Sequence, residues 1–318
     1  MRVVFMGTPT LAARILAELA AHHEVALAVT RPDAVSGRGS KKRPSPVKEM
    51  ALSLDIPVHE ASRMDESAQD ALIKAAPEAI CVAAFGCLLP PSVLECAPYG
   101  CLNVHMSLLP RWRGAAPIER AMLEGDPRIG FSIMRMEEGL DTGPFCAQGS
   151  FDADGRYLDE LEEELALAGA KALAETLDAL EKGPVSWIEQ DSSRANYASK
   201  IGKDELSLNP SKTAEANCAC VRASSGAHPA KASLAERDVT IEKAHPVRCD
   251  DLPEQAALLE SGDACFVQKR LFLICDEGAI EVERLKPNGK QSMDARAFCA
   301  GIQNFKKESK RWGASHER

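Results

Sequence analysis

The residues best suited to chemistry lie in one run, Cys101-Leu102-Asn103-Val104-His105-Met106-Ser107-Leu108-Leu109-Pro110-Arg111-Trp112-Arg113-Gly114-Ala115-Ala116-Pro117-Ile118. Its apolar start predicts a strand, and residues two apart on a strand leave the same face, so Asn103 and His105 can meet one reacting group. A carboxamide offers a hydrogen-bond donor and an imidazole can carry a proton near neutral pH. The bland alternative is a polar pair that merely satisfies itself at a strand end. Gly7-Thr8-Pro9, after the first apolar run, reads as a tight strand-to-helix turn or as one wall of a substrate crevice. It lacks the later glycines of a dinucleotide fingerprint and the Gly-Lys-Ser/Thr of a P-loop. Cys218 and Cys220 are close in sequence but have no second Cys/His pair, so no metal site is expected.

The elements that must position these groups follow from periodicity. Short apolar runs near 2–6, 25–29, 79–84, 101–105 and 129–134 alternate with helical patterns near 10–21, 47–54, 65–75 and 116–124. That alternation predicts an α/β class with a parallel sheet wrapped by helices, and it puts Asn103 and His105 at a strand's C-terminal end, where such sheets bind ligands. A long helix over 159–181 ends at Gly183-Pro184, a strong stop. The pattern then weakens through Gln190-Asp191-Ser192-Ser193, and β-type runs at 264–267, 271–275 and 279–282 predict a smaller, β-rich, barrel-like second domain. The expected organisation is a catalytic domain over 1–188, a linker over 189–206 and a further domain over 207–318.

Composition limits the alternatives. At 318 residues and 45% hydrophobic, the chain has material for two cores. The eleven cysteines are an odd number and sit mostly in apolar surroundings, as reduced thiols would. The N-terminus opens on a strand with no secretory signal, and no apolar run nears the roughly 20 residues of a membrane span. A cytoplasmic location and no membrane partner are therefore expected. Net charge is −9, yet residues 1–205 carry 21 basic and 31 acidic side chains while 206–318 carry 17 and 16. Against the acidic first part, residues 31–43 hold five basic residues and one acid, with Gly37 and Gly39 among them. Such a run is a solvated loop, or a loop that grips phosphate.

Taken together, Asn103, His105, Ser107-Leu108-Leu109-Pro110 and Arg113-Gly114, followed by Gly139-Leu140-Asp141-Thr142-Gly143, resemble the folate-dependent formyltransferases. The resemblance implies a Rossmann-like N-terminal formyltransferase domain, 10-formyltetrahydrofolate as co-substrate, no metal, and a catalytic trio of Asn103, His105 and Asp141. It further implies folate contacts from Ser107, Leu108, Leu109, Pro110, Phe85, Gly86 and Leu88. Phe5-Met6-Gly7-Thr8-Pro9, Arg31-Pro32-Asp33, Gly37-Arg38-Gly39 and Pro44-Ser45-Pro46-Val47-Lys48 are similar to the members that act on methionyl-tRNA. The initiator form of that RNA is then the expected partner of a monomer, gripped by Arg38, Lys41, Lys42 and Arg43. The single-domain glycinamide ribonucleotide enzymes and the formyltetrahydrofolate hydrolases share the catalytic logic, but the extension past residue 205 speaks against the first and the lack of a fused dehydrogenase against the second. Past residue 205 the likeness thins: Asn209-Pro210 and residues 224–230 replace the aromatic, proline-rich stretches usual there.

Overall fold

The computed structural model describes residues 1–35, 42–305 and 307–315. Two compact units are interleaved along the chain. The first comprises residues 1–120, 128–152 and 160–200, the second 121–127, 153–159 and 201–318.

In chain order the first stretch runs β1 (Arg2–Gly7), α1 (Thr10–His22), β2 (Glu24–Thr30), β3 (Ala34–Val35), β4 (Lys42–Arg43), α2 (Pro46–Ser53), β5 (Val58–Glu60), α3 (Glu66–Ala75), β6 (Ala79–Ala83), α4 (Pro91–Leu94) and β7 (Cys101–His105). It continues through β8 (Arg113–Gly114), α5 (Pro117–Leu123), β9 (Arg128–Arg135), β10 (Phe145–Asp152), α6 (Leu158–Lys182) and β11 (Tyr197–Ala198). Among the described residues, seven strands form one sheet in the order β10-β9-β7-β6-β1-β2-β5. Strands β5, β2, β1, β6 and β7 are parallel, and β9 and β10 add an antiparallel edge. The α/β expectation holds. Helix α1 buries Leu11, Ile15, Leu16 and Leu19, the face its spacing marked out. Ser45 caps α2 by accepting from Lys48 N at 3.0 Å, with Pro46 in the first turn.

Two features of this sheet place the site. Strand β1 is flanked by β2 and β6, so connections diverge there and leave a crevice beyond the strand ends. A Cβ on Gly7 at the end of β1 would come within 2.8 Å of Ala83 O, which explains the glycine as close strand packing. Strand β7 pairs with β6 on one side and β9 on the other, setting His105 opposite Ser132 and Asn103 opposite Met134. Cys101 of β7 belongs to a core cluster with Val4, Met6, Ile80, Val82 and Phe85, so the strand that carries the polar pair is anchored by apolar burial shared with β6 and β1.

The second unit contains α7 (Ala214–Arg222), β12 (Lys231–Leu234), β13 (Arg237–Val247), α8 (Glu254–Ala257), β14 (Asp263–Val267), β15 (Arg270–Ile274), β16 (Ala279–Pro287), β17 (Met293–Asp294), α9 (Ala295–Ala300) and β18 (Lys310–Gly313). Its strands run in the order β13-β12-β18-β14-β15-β16-β17, and β13 also pairs with β16. That pairing closes β13, β12, β18, β14, β15 and β16 into a barrel, leaving no open edge among them. Among the described residues no helix is long and apolar enough to cross a membrane.

Candidate active site

Strand β7 ends with Asn103 and His105, both buried. His105 Nε2 lies 3.0 Å from Trp112 O, and a carbonyl can only accept, so Nε2 carries the proton there. The Trp112 backbone that supplies this carbonyl has φ +62°, and its N–H donates to Asn196 Oδ1 at 2.5 Å. The other ring nitrogen, Nδ1, stands 3.6 Å from Asp141 Oδ2. Asp141 also holds a positive φ, +53°, and its Oδ2 accepts from Gly114 N at 2.9 Å. Three points of the signature thus converge: the strand end, the turn at 112–114 and the turn at 139–143. His105 is 5% exposed and the Asp141 side chain 13%, which keeps the pair weakly screened.

Asn103 differs from its neighbours. It is buried, yet among the described residues its carboxamide has no hydrogen-bond partner, while no fully enclosed side-chain nitrogen or oxygen lacks one. Its amide therefore borders open space beside His105, ready to donate to an incoming group.

The turn after β7 is stapled from behind. Ser107 Oγ donates to Arg111 O at 2.6 Å, and Ser132 Oγ donates to Ser107 O at 2.7 Å while accepting from Leu109 N at 3.1 Å. Gln148 of β10 adds donations to Leu109 O at 3.0 Å and Ser132 Oγ at 2.9 Å. The Leu109–Pro110 peptide is cis. Burial pushes the Cys101 thiol of β7 up to about 12 and Cys81 of β6 higher still, so these two stay protonated. Among the described residues no group of three His, Cys, Asp or Glu side chains could hold a metal ion.

Residues 1–177 match the family described as formyl transferase, and residues 200–303 match the formyl transferase C-terminal domain. Over 309 residues, 95% of this chain and 94% of the relative, the sequence is 39% identical to methionyl-tRNA formyltransferase of Aromatoleum aromaticum. The chain belongs to the methionyl-tRNA formyltransferase family. Against the counterpart from Herminiimonas arsenicoxydans, this family's likeness is 37% over 313 residues, 95% of this chain and 98% of that one. In fold the chain resembles HypX from Aquifex aeolicus, solved in complex with tetrahydrofolic acid, with TM-score 0.65 and 16% identity over 97% of this chain and 48% of that one.

For a methionyl-tRNA formyltransferase family member, the remaining expected contacts fall in two places. Ser107, Leu108, Leu109 and Pro110 form the stapled turn, with Ser107 and Leu109 buried within it. Phe85 packs in the core, Gly86 follows with φ +75°, and Leu88 stands 86% exposed. Thr8 Oγ1 donates to Phe85 O at 3.3 Å, which ties the turn after β1 to this loop. Lys42 and Arg43 are exposed on β4, paired with β3. Arg38 and Lys41 lie outside the described residues. The supports Ser132, Gln148 and Asn196 carried no signal in the sequence, because a polar residue on a strand or in a polar stretch looks like ordinary solvated surface.

Proposed function

We propose that this chain transfers the formyl group of 10-formyltetrahydrofolate to the α-amino group of methionyl-tRNA, with Asn103, His105 and Asp141 as its catalytic groups. The neutral amine attacks the formyl carbon, a C–N bond forms, and the carbonyl oxygen becomes an oxyanion. The Asn103 carboxamide is buried and has no hydrogen-bond partner among the described residues, so it would donate to that oxyanion, and its unpartnered amide carries the reading. His105 would take the proton of the incoming nitrogen on Nδ1, the ring nitrogen not donating to Trp112 O, and pass it to the departing folate nitrogen as the old C–N bond breaks. Asp141 holds the ring and offsets positive charge on it. Neither a metal nor a covalent enzyme intermediate enters this sequence.

Phe85, Gly86, Leu88 and the 107–110 turn are the proposed folate contacts, and Arg38, Lys41, Lys42 and Arg43 the proposed RNA contacts. Residues 1–188 would carry the chemistry and 207–318 further RNA contacts, joined by 189–206. We place the enzyme in the cytoplasm, as a monomer acting on the initiator tRNA.

The test is an assay of the purified chain with 10-formyltetrahydrofolate and three acceptors: methionyl-tRNA, glycinamide ribonucleotide and water. Only the first should turn over efficiently, and preference for either other acceptor would overturn the assignment. His105→Ala, Asp141→Asn and Asn103→Ala should each lower kcat at least about 100-fold, since one oxyanion donor or one proton relay typically contributes that much. Folate binding, measured by titration, should be nearly unchanged.

A further inference from the structure

Gln190 lies between the two stretches that match the formyl transferase families, 1–177 and 200–303, in the polar segment expected to be a linker. Its side chain nevertheless makes four hydrogen bonds inside the first unit. Oε1 accepts from Arg113 Nε at 3.0 Å and Nη2 at 2.8 Å. Nε2 donates to Asp141 O at 2.9 Å and Gly143 O at 2.6 Å. Two guanidinium donors on one end and two carbonyls on the other fix which amide atom is which, and they exhaust both N–H groups and both lone pairs.

The surroundings explain why such a residue is needed. Asp141 sits at φ +53°, a conformation that a non-glycine residue keeps only when its neighbours over-determine it. Gly114 N holds its carboxylate, while Gln190 holds the carbonyls at both ends of the 141–143 turn. Arg113 is 3% exposed, and among the described residues its guanidinium contacts no carboxylate; Gln190 Oε1 is the partner of that buried cation.

We propose that Gln190 is a positioning residue for formyl transfer: its amide clamps the turn that sets Asp141 against His105, and the buried Arg113 fixes the amide's orientation. The segment between the family matches therefore completes the active site rather than merely spanning two domains. This rests on the reading of Asp141 as His105's catalytic partner.

Gln190→Ala would strand a buried guanidinium and could simply unfold the protein. Gln190→Glu keeps the size and the acceptor for Arg113 but turns an oxygen toward two carbonyls, so it attacks the clamp alone. The experiment compares wild type, Gln190→Glu, Asp141→Asn and the double variant as full-length chains. The readouts are kcat per folate-binding site, KM for both substrates, folate affinity and the pH–rate profile. Gln190→Glu should lower kcat about 10–100-fold, the scale of a displacement near 1 Å at a catalytic group, with both KM values moving far less. Its pH–rate profile should change shape, and in the Asp141→Asn background the same substitution should add little, because both act through one group. A merely structural role would lower the melting temperature and the number of folate-binding sites, with kcat per site and the pH profile as in wild type; that result overturns the proposal. So do losses that multiply in the double variant. If Gln190→Glu does not accumulate, the Arg113→Met/Gln190→Met pair, which removes cation and partner together, is read by the same criteria. Full activity of Asp141→Asn would instead sink the catalytic reading and leave Gln190 with nothing to position.

Discussion

Gly114 shows how much of this site rests on backbone rather than side chains. Its N–H donates to Asp141 Oδ2 at 2.9 Å, its φ is +126°, and a Cβ there would stand 2.6 Å from Ala198 O. Gly114→Ala should therefore force β8 away from β11, costing about 1–3 kcal/mol of stability for the strained conformation alone. The shift also moves the donor that holds Asp141. A melting curve and kcat on the same sample check both effects, and unchanged kcat at lowered stability would detach Gly114 from the chemistry. The expectation of Asn103, His105 and Asp141 came from a dense motif, whereas Gln190 and Ser132 sit in hydrogen-bond networks that spacing does not announce. Cysteines give a second residue-scale prediction. Burial pushes Cys218, Cys275 and Cys299 to about 12 and Cys265 to about 11, whereas Cys249 is exposed. At pH 8 a thiol titrating at 12 is ionised only about once in ten thousand molecules. Brief alkylation of the folded chain should label Cys249 and spare those four, as peptide mass spectrometry would read out; equal labelling would mean these cores open readily.

At the scale of elements, the base of the basic loop is held from two sides. Lys48, in the first turn of α2, reaches Asp33 Oδ1 at 2.8 Å and Glu60 Oε2 at 3.0 Å, and Asp33 N donates to Glu60 Oε1 at 3.0 Å. Arg31 Nη1 donates to Gly86 O at 3.2 Å, in the loop proposed to bind folate. The Lys48 ammonium lowers the Asp33 carboxyl below its usual range, and the Asp33 hydrogen bond in turn raises Lys48. A depressed carboxyl stabilises the fold above its unfolded pKa, near 3.9, and loses that contribution as pH falls through the folded value. A raised lysine contributes below its unfolded pKa, about 10.4, and loses the contribution as pH rises through the folded value. The clamp is therefore intact through the neutral range. Lys48→Met should raise KM for methionyl-tRNA and leave folate affinity alone, whereas Arg31→Ala should disturb both; steady-state kinetics with a folate titration separates the two, and identical phenotypes would refute the division. The sheet itself was legible: β1, β2, β6, β7 and β9 are apolar runs between helical patterns, and each lies within two residues of where the runs placed it. The edge strand β10, Phe145-Cys-Ala-Gln-Gly-Ser-Phe-Asp, was not, since it is only half-buried and lacks an apolar alternation. Strand β13 escaped for a related reason: its charges and Pro246 mask a barrel strand that pairs along most of its length with β16, distant in sequence.

For the whole molecule the open question is how a chain of net charge −9 handles a polyanion. Bulk electrostatics oppose association, so attraction must be local, and residues 31–43 carry five basic residues against one acid inside the more acidic part of the chain. Lys42 and Arg43, exposed on β4, lie at one foot of that loop, and the Lys48 clamp fixes the other at Asp33. Phosphate contacts release counterions, so kcat/KM for methionyl-tRNA should fall steeply as salt rises. Neutralising Arg38, Lys41, Lys42 and Arg43 together should flatten the dependence, each lost contact reducing the log–log slope by roughly 0.7–0.9. Screening of the protein's own negative charge works the other way and weakens repulsion as salt is added. The quadruple variant should therefore show a shallow slope or even a slight rise with salt, not a parallel line displaced downward. A salt series on both proteins, with folate affinity measured alongside, decides it. Parallel slopes would move the RNA contacts away from this loop, and a collapse of folate affinity would assign the loop to the folate side of the crevice.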